Sequence, residues 1–125
     1  MGKLSIGKKY HFDAAHKLDG YEGKCKNLHG HRWTVEIEVW GDLKVMGSQK
    51  GMIIDFHELD FIMEQILKFY DHRLLNDTIE NPTCENIVGS IRAGLYGRLR
   101  KVGLILKSLT VWETPESFAK MEFKS

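Results

Sequence analysis

The run His29-Gly30-His31-Arg32-Trp33-Thr34-Val35-Glu36-Ile37-Glu38-Val39 alternates without a break. His29, His31, Trp33, Val35, Ile37 and Val39 share one face, and Gly30, Arg32, Thr34, Glu36 and Glu38 share the other. A period of two held this long predicts a half-buried antiparallel strand over 29–40, and therefore a sheet with one covered face. Residues 3–16 repeat the pattern. Leu4, Ile6, Tyr10, Phe12 and Ala14 lie on the even face, broken only by Lys8, and His16 continues that face. Residues 17–28, with Gly20, Gly23 and several charges, read as the loop of a hairpin.

The period then changes to that of a helix. Asp55 and Glu58 have the spacing of a capping box, and Ile54 and Leu59 that of a hydrophobic staple. Phe56, Leu59, Met63, Ile66 and Tyr70 form the expected buried stripe, with Asp71 and His72 at the helix end. Residues 73–82 read as a loop closing in Pro82. Thr83 is the expected N-cap of a second helix with Ile87, Ile91, Leu95 and Leu99 on its stripe. Gly89, Gly94 and Gly97 weaken that helix by propensity and suit close packing. Residues 104–114 and 118–124 read as two further strands around Pro115. The order is ββααββ, an α+β domain over 1–125 with two helices on one face of an antiparallel sheet.

The composition excludes several classes of function. A chain of 125 residues has room for one core of normal size. Its net charge of +1 carries no basic excess of the kind that tracks nucleic acid. No apolar run approaches the ~20 residues of a membrane helix. Two cysteines are too few for a disulfide framework, and the polar segment 1–9 lacks a signal sequence, so a cytoplasmic location is expected.

The chemistry concentrates at one end of the hairpin. His29 and His31, at i and i+2, point to one face of a strand. His16 ends the neighbouring strand on its own inward face, so an antiparallel hairpin brings the three together. Three histidines with an open fourth position are the donor set of a catalytic zinc. Three buried imidazoles without a shared partner are otherwise costly. Cys25, in the polar context Lys24-Cys25-Lys26-Asn27, suits a nucleophile, a base or a fourth ligand. Cys84, in the first turn of the second helix, reads as structural. Asp71 and His72 fit either a proton relay or a helix-end histidine on the dipole. Glu113 continues the apolar face of Leu109 and Val111, so it needs a partner. A ligand with two adjacent N–H groups, such as an aminopyrimidinone, suits it, and so does a strand-end ion pair. Glu85 is open to a similar double reading as a first-turn acid. A structural zinc module is the rival class; it needs Cys25 as a fourth ligand and leaves Asp71, His72 and Glu113 unexplained.

The ordered set Phe12-x-Ala14-Ala15-His16, Cys25-x3-His29-Gly30-His31, Asp55-Phe56, Asp71-His72, Pro82-Thr83-x-Glu85-Asn86 and Glu113-Thr114 resembles the 6-pyruvoyl-tetrahydropterin synthase family, which includes the 6-carboxytetrahydropterin synthases. The resemblance covers nearly the whole chain. It implies a tunnelling fold (T-fold) assembled as a homohexamer of two trimers, with active sites between subunits. It implies Zn2+ on His16, His29 and His31, catalysis by Cys25, Asp71 and His72, a pterin anchored on Glu113, and Thr83 and Glu85 in the pocket lining. Lys24, Lys26, Arg32 and Arg73 are the possible triphosphate contacts. Cys84 departs from the family pattern. The implied activity is that of a zinc-dependent lyase acting on 7,8-dihydroneopterin triphosphate. The three residues between Cys25 and His29 match the carboxy-type branch, which makes 6-carboxytetrahydropterin for queuosine. The alternative is the pyruvoyl product.

Overall fold

The computed structural model describes residues 3–20, 22–23 and 27–124. Strands β1 (Ser5–His16) and β2 (His29–Trp40) form the hairpin read from the sequence. They pair antiparallel along their whole length, from Ser5↔Trp40 to His16↔His29. Helix α1 (Phe56–Leu67) follows, then the two-residue strand β3 (Arg73–Leu74), a single 3-10 turn (Leu75–Asp77), helix α2 (Cys84–Lys101), and strands β4 (Ile105–Thr114) and β5 (Ser117–Glu122). The sheet order is β3-β1-β2-β4-β5.

The expected loop over 73–82 therefore holds a short strand, which pairs parallel with Ala14 and Ala15 of β1. Two residues are too few for periodicity to betray. This is the one parallel pairing among the described strands, and it covers only the end of the β1 edge beside His16.

The inward faces of the strands meet both helices in one core. Trp33, Val35, Ile37 and Val39 of β2 are fully buried, as are Ile87, Ile91, Leu95 and Leu99, the expected stripe of α2. Gly94 permits close approach of the helices: a Cβ there would lie 3.3 Å from Ile66 Cδ1. At Gly89 and Gly97 a Cβ would meet nothing within 4 Å, so packing within the chain does not explain them. Trp33 is the largest fully buried side chain, and its indole N–H donates to the Ala14 carbonyl at 3.2 Å. Truncating it to alanine is expected to cost about 3–5 kcal/mol.

Two local expectations are corrected. Asp55 does cap α1, accepting from the His57 N–H at 2.9 Å, but Glu58 does not reach back. Gln49 takes that role from outside the helix. Its Oε1 accepts the Asp55 N–H at 3.2 Å, and its Nε2 donates to Glu58 at 2.6 Å. Phe56 is exposed and Leu67 joins the buried stripe. Helical side chains lean toward the N-terminus, so the first residue overhangs the packed face.

Candidate metal centre

The hairpin makes His16 and His29 direct cross-strand partners, with His31 two residues further on the same face. Trp33 forms the floor. Its ring meets His16 and His31 edge-on, with centroids 5.0 and 5.3 Å away. His16 is fully buried.

Backbone carbonyls set the tautomers. His16 Nδ1 lies 2.8 Å from the Pro82 carbonyl, and His29 Nδ1 lies 2.6 Å from the Asn27 carbonyl. A carbonyl only accepts, so each Nδ1 carries the hydrogen, and in the neutral ring each Nε2 is a bare lone pair. The two Nε2 atoms are 3.0 Å apart. Two lone pairs at that distance repel unless a cation lies between them. His31 Nε2 is buried without a hydrogen-bond partner among the described residues. Burial pushes the His31 imidazole below its usual pKa. Glu113 opposes that shift, while His29 and His16 add to it.

Glu113 completes the group. Its Oε1 is 3.3 Å from His16 Nε2 and 3.4 Å from His31 Nε2. The four donor atoms all lie within 4.8 Å of one another. A tetrahedral zinc with ligand bonds of about 2.0–2.1 Å separates its donors by about 3.3–3.4 Å. Three of the six spacings, at 3.0, 3.3 and 3.4 Å, are close to that edge length. The donor chemistry and the orphaned His31 nitrogen therefore fit a zinc-type ion. The carbonyls on Nδ1 supply the outer hydrogen bonds that hold metal-binding imidazoles in place.

Glu113 sits at an irregularity near the end of β4. The β4–β5 register runs Trp112↔Phe118 and then Thr114↔Ser117, so Glu113 has no partner on β5. Such bulges re-aim a side chain. The start of α2 packs alongside. Pro82 holds His16, and Cys84 Sγ donates to the Val111 carbonyl at 3.1 Å. Burial pushes the Cys84 thiol up to about 11, which makes it an inert donor, as its structural reading expects. The Thr83 hydroxyl is engaged in capping α2, accepting from the Asn86 N–H at 3.1 Å, and Glu85 is exposed.

Asp71 and His72 form a separate cluster with Asp13. They lie four and five residues beyond the last residue of α1, so neither is the helix-end residue expected. His72 Nδ1 meets Asp71 Oδ2 at 2.9 Å. Asp71 Oδ1 accepts the Asp13 N–H at 2.9 Å, and the His72 N–H donates to the Asp13 carbonyl at 2.6 Å. The bond from the Asp13 N–H, with help from His72, holds the Asp71 carboxyl below its usual range. His72 adopts φ 57°, a left-handed conformation that costs a non-glycine residue about 1–2 kcal/mol. Its side chain is 80% exposed. Arg32 pairs with the Asp13 side chain at 3.3 Å, and Arg73 is exposed. Cys25, Lys24 and Lys26 lie outside the described residues.

Sequence reasoning missed the roles of the Asp13 N–H and carbonyl and of the Asn27 and Pro82 carbonyls, because backbone groups leave no mark in side-chain identity.

The family description 6-pyruvoyl tetrahydropterin synthase matches residues 5–124, and the chain belongs to that family. Among curated relatives, a 6-carboxy-5,6,7,8-tetrahydropterin synthase of Haemophilus influenzae is 33% identical, over 95% of this chain and 99% of its own. The enzyme of the same name from Synechocystis is 39% identical, over 92% and 90%. A dihydroneopterin monophosphate aldolase of Pyrococcus furiosus is 36% identical, over 90% and 91%. The solved 6-pyruvoyl tetrahydropterin synthase of Caenorhabditis elegans superposes with a TM-score of 0.82 at 24% identity, covering 99% of this chain and 98% of that one. At that identity the likeness carries the fold, and the fold is the T-fold expected from the sequence.

Proposed function

We propose that this chain is a zinc-dependent 6-carboxy-5,6,7,8-tetrahydropterin synthase. It acts as a lyase on 7,8-dihydroneopterin triphosphate, which with water gives 6-carboxytetrahydropterin, acetaldehyde and triphosphate on the route to queuosine. The observation that carries this reading is the convergence of His16, His29 and His31 on one point, with two ring tautomers fixed by carbonyls. The names of the relatives and the three-residue spacing from Cys25 to His29 support the carboxy branch over the pyruvoyl one.

Zinc, when bound, supplies a Lewis acid for the side-chain hydroxyls of the substrate. Cys25 removes a proton from that side chain. His72, oriented by Asp71, carries protons to and from the same atoms. Glu113 accepts from the paired N–H groups of the pterin ring, and Thr83 and Glu85 belong to the pocket wall. His72 is exposed and in a separate cluster from the histidine set, which supports a site completed between copies of a homohexamer. β3 covers β1 only at Ala14 and Ala15, and β5 is the other edge of the sheet, so strand edges are available for that assembly.

The test is to measure acetaldehyde against dihydroneopterin triphosphate consumed. Stoichiometric acetaldehyde supports the carboxy product. Triphosphate release without acetaldehyde moves the enzyme to the pyruvoyl branch. The aldolase relative gives a second arm: cleavage of dihydroneopterin monophosphate to a phosphorylated two-carbon aldehyde, with the triphosphate untouched, replaces the synthase reading.

A further inference from the structure

Zinc with three histidines and Glu113 is a closed centre, with no position left for a substrate. A catalytic centre has to open, and the four donors differ in how firmly they are held. His16 and His29 face each other across the β1–β2 ladder, and each is tied through Nδ1 to a carbonyl. His31 pairs with Ala14 on the same ladder and leans on Trp33. Glu113 is the exception. It has no partner in the β4–β5 register, lies beyond the last β2–β4 pair at Trp112, and its side chain is 24% exposed. Its interactions in this cluster are its approaches to His16 and His31.

We propose that Glu113 serves the metal and the pterin in turn: it closes the fourth position of the resting centre, and an arriving pterin draws it away. This rests on the proposed function, which supplies the pterin. The same carboxylate cannot satisfy both partners. A pterin ring offers two parallel N–H donors to one carboxylate, a bidentate arrangement stronger than single neutral bonds. Binding the ring therefore also frees the position its side chain needs. The gate keeps water off the metal until substrate is present.

The experiment is a pair of crystal structures of the zinc-loaded full chain, without ligand and with neopterin. Without ligand, a Glu113 oxygen is expected at about 2.0–2.2 Å from zinc. With neopterin, it is expected beyond bonding distance and hydrogen-bonded to the pterin ring. Water in the fourth position of the ligand-free centre overturns the inference, and so does Glu113 still on zinc in the neopterin complex. Cobalt-substituted protein gives an independent readout. The visible spectrum should shift when neopterin is added to the wild type, and Glu113→Gln should differ from the wild type before any ligand is present. Zinc affinity in Glu113→Gln should fall roughly tenfold or more, since even outer-shell partners contribute that much. An unchanged cobalt spectrum and zinc affinity in Glu113→Gln also overturn it. These readouts need no turnover. Failure of the acetaldehyde assay with Glu113 on zinc sinks only the reaction assignment, whereas stoichiometric acetaldehyde with water on zinc sinks only the gate.

Discussion

His16, His29 and His31 stand on two fully paired strands over a buried tryptophan, whereas Asp71 and His72 hang from β1 through backbone hydrogen bonds of Asp13. The first region is rigid because the sheet makes it so. Each imidazole occupies an inward position that the alternation of the strands dictates. The second region is a turn with one residue in the left-handed conformation, tied to β1 at a single residue. Strain of that kind persists only where its surroundings enforce it, and it concentrates at functional sites. The contrast suits the two tasks that the proposed function sets. Holding a metal needs fixed donors in a dry site. Moving protons needs an accessible imidazole with a carboxylate partner.

The largest expected effect falls on the metal region. Purified protein should carry about one zinc per chain, and His29→Ala or His31→Ala should lose it, as measured by metal analysis after dialysis. Full occupancy in a triple alanine variant of His16, His29 and His31 would place the ion elsewhere.

The two cysteines extend the comparison. Cys25→Ala should abolish turnover and keep its zinc. Cys84→Ser should stay within a few-fold of the wild type, because the Cys84 thiol is half-buried and raised to about 11. Zinc loss in Cys25→Ala would favour the closed structural site instead.

A smaller effect is expected at the relay. His72→Ala should slow turnover by roughly 10²-fold or more, the scale of lost general acid–base catalysis, with zinc content unchanged. Unaltered rates would reduce His72 to a turn residue.

The smallest effect concerns pH. The folded pKa of Asp71 lies below its unfolded value, so its contribution to stability is present above that unfolded value, about 3.9. The contribution is lost as pH falls through the folded pKa. The stability difference between wild type and Asp71→Asn, from denaturant titration, should be flat above about pH 5 and shrink below about pH 4. A difference independent of pH over that range would mean that the carboxylate charge does not matter.

The two regions also differed in how far the sequence disclosed them. Unbroken alternation placed His16, His29 and His31 on one face and one hairpin, and the register pairs His16 with His29 as that reading required. Glu113 was visible as a carboxylate continuing an apolar face. Its approach to the histidines was not, because the pairing that brings β4 beside β2 is not written in either strand's own pattern. The Asp71–His72 pair was legible as residue types only. Its clamp consists of the Asp13 N–H and carbonyl, and its conformation is a single dihedral angle. Gln49 likewise takes the place of Glu58 at the start of α1, because a loop residue six positions before the cap accepts the Asp55 N–H and lies outside any helical spacing rule.

On the proposed function, the metal region of one copy and the relay region of another are expected to meet in one active site. Two inactive variants test it most directly. His31→Ala and His72→Ala chains, carrying different affinity tags, are co-expressed, and oligomers bearing both tags are purified and assayed with dihydroneopterin triphosphate. Each mixed oligomer should contain some sites in which an intact metal centre faces an intact relay. Activity well above either parent variant is therefore expected. Mixed oligomers no more active than their parents would show that each site draws both regions from one chain.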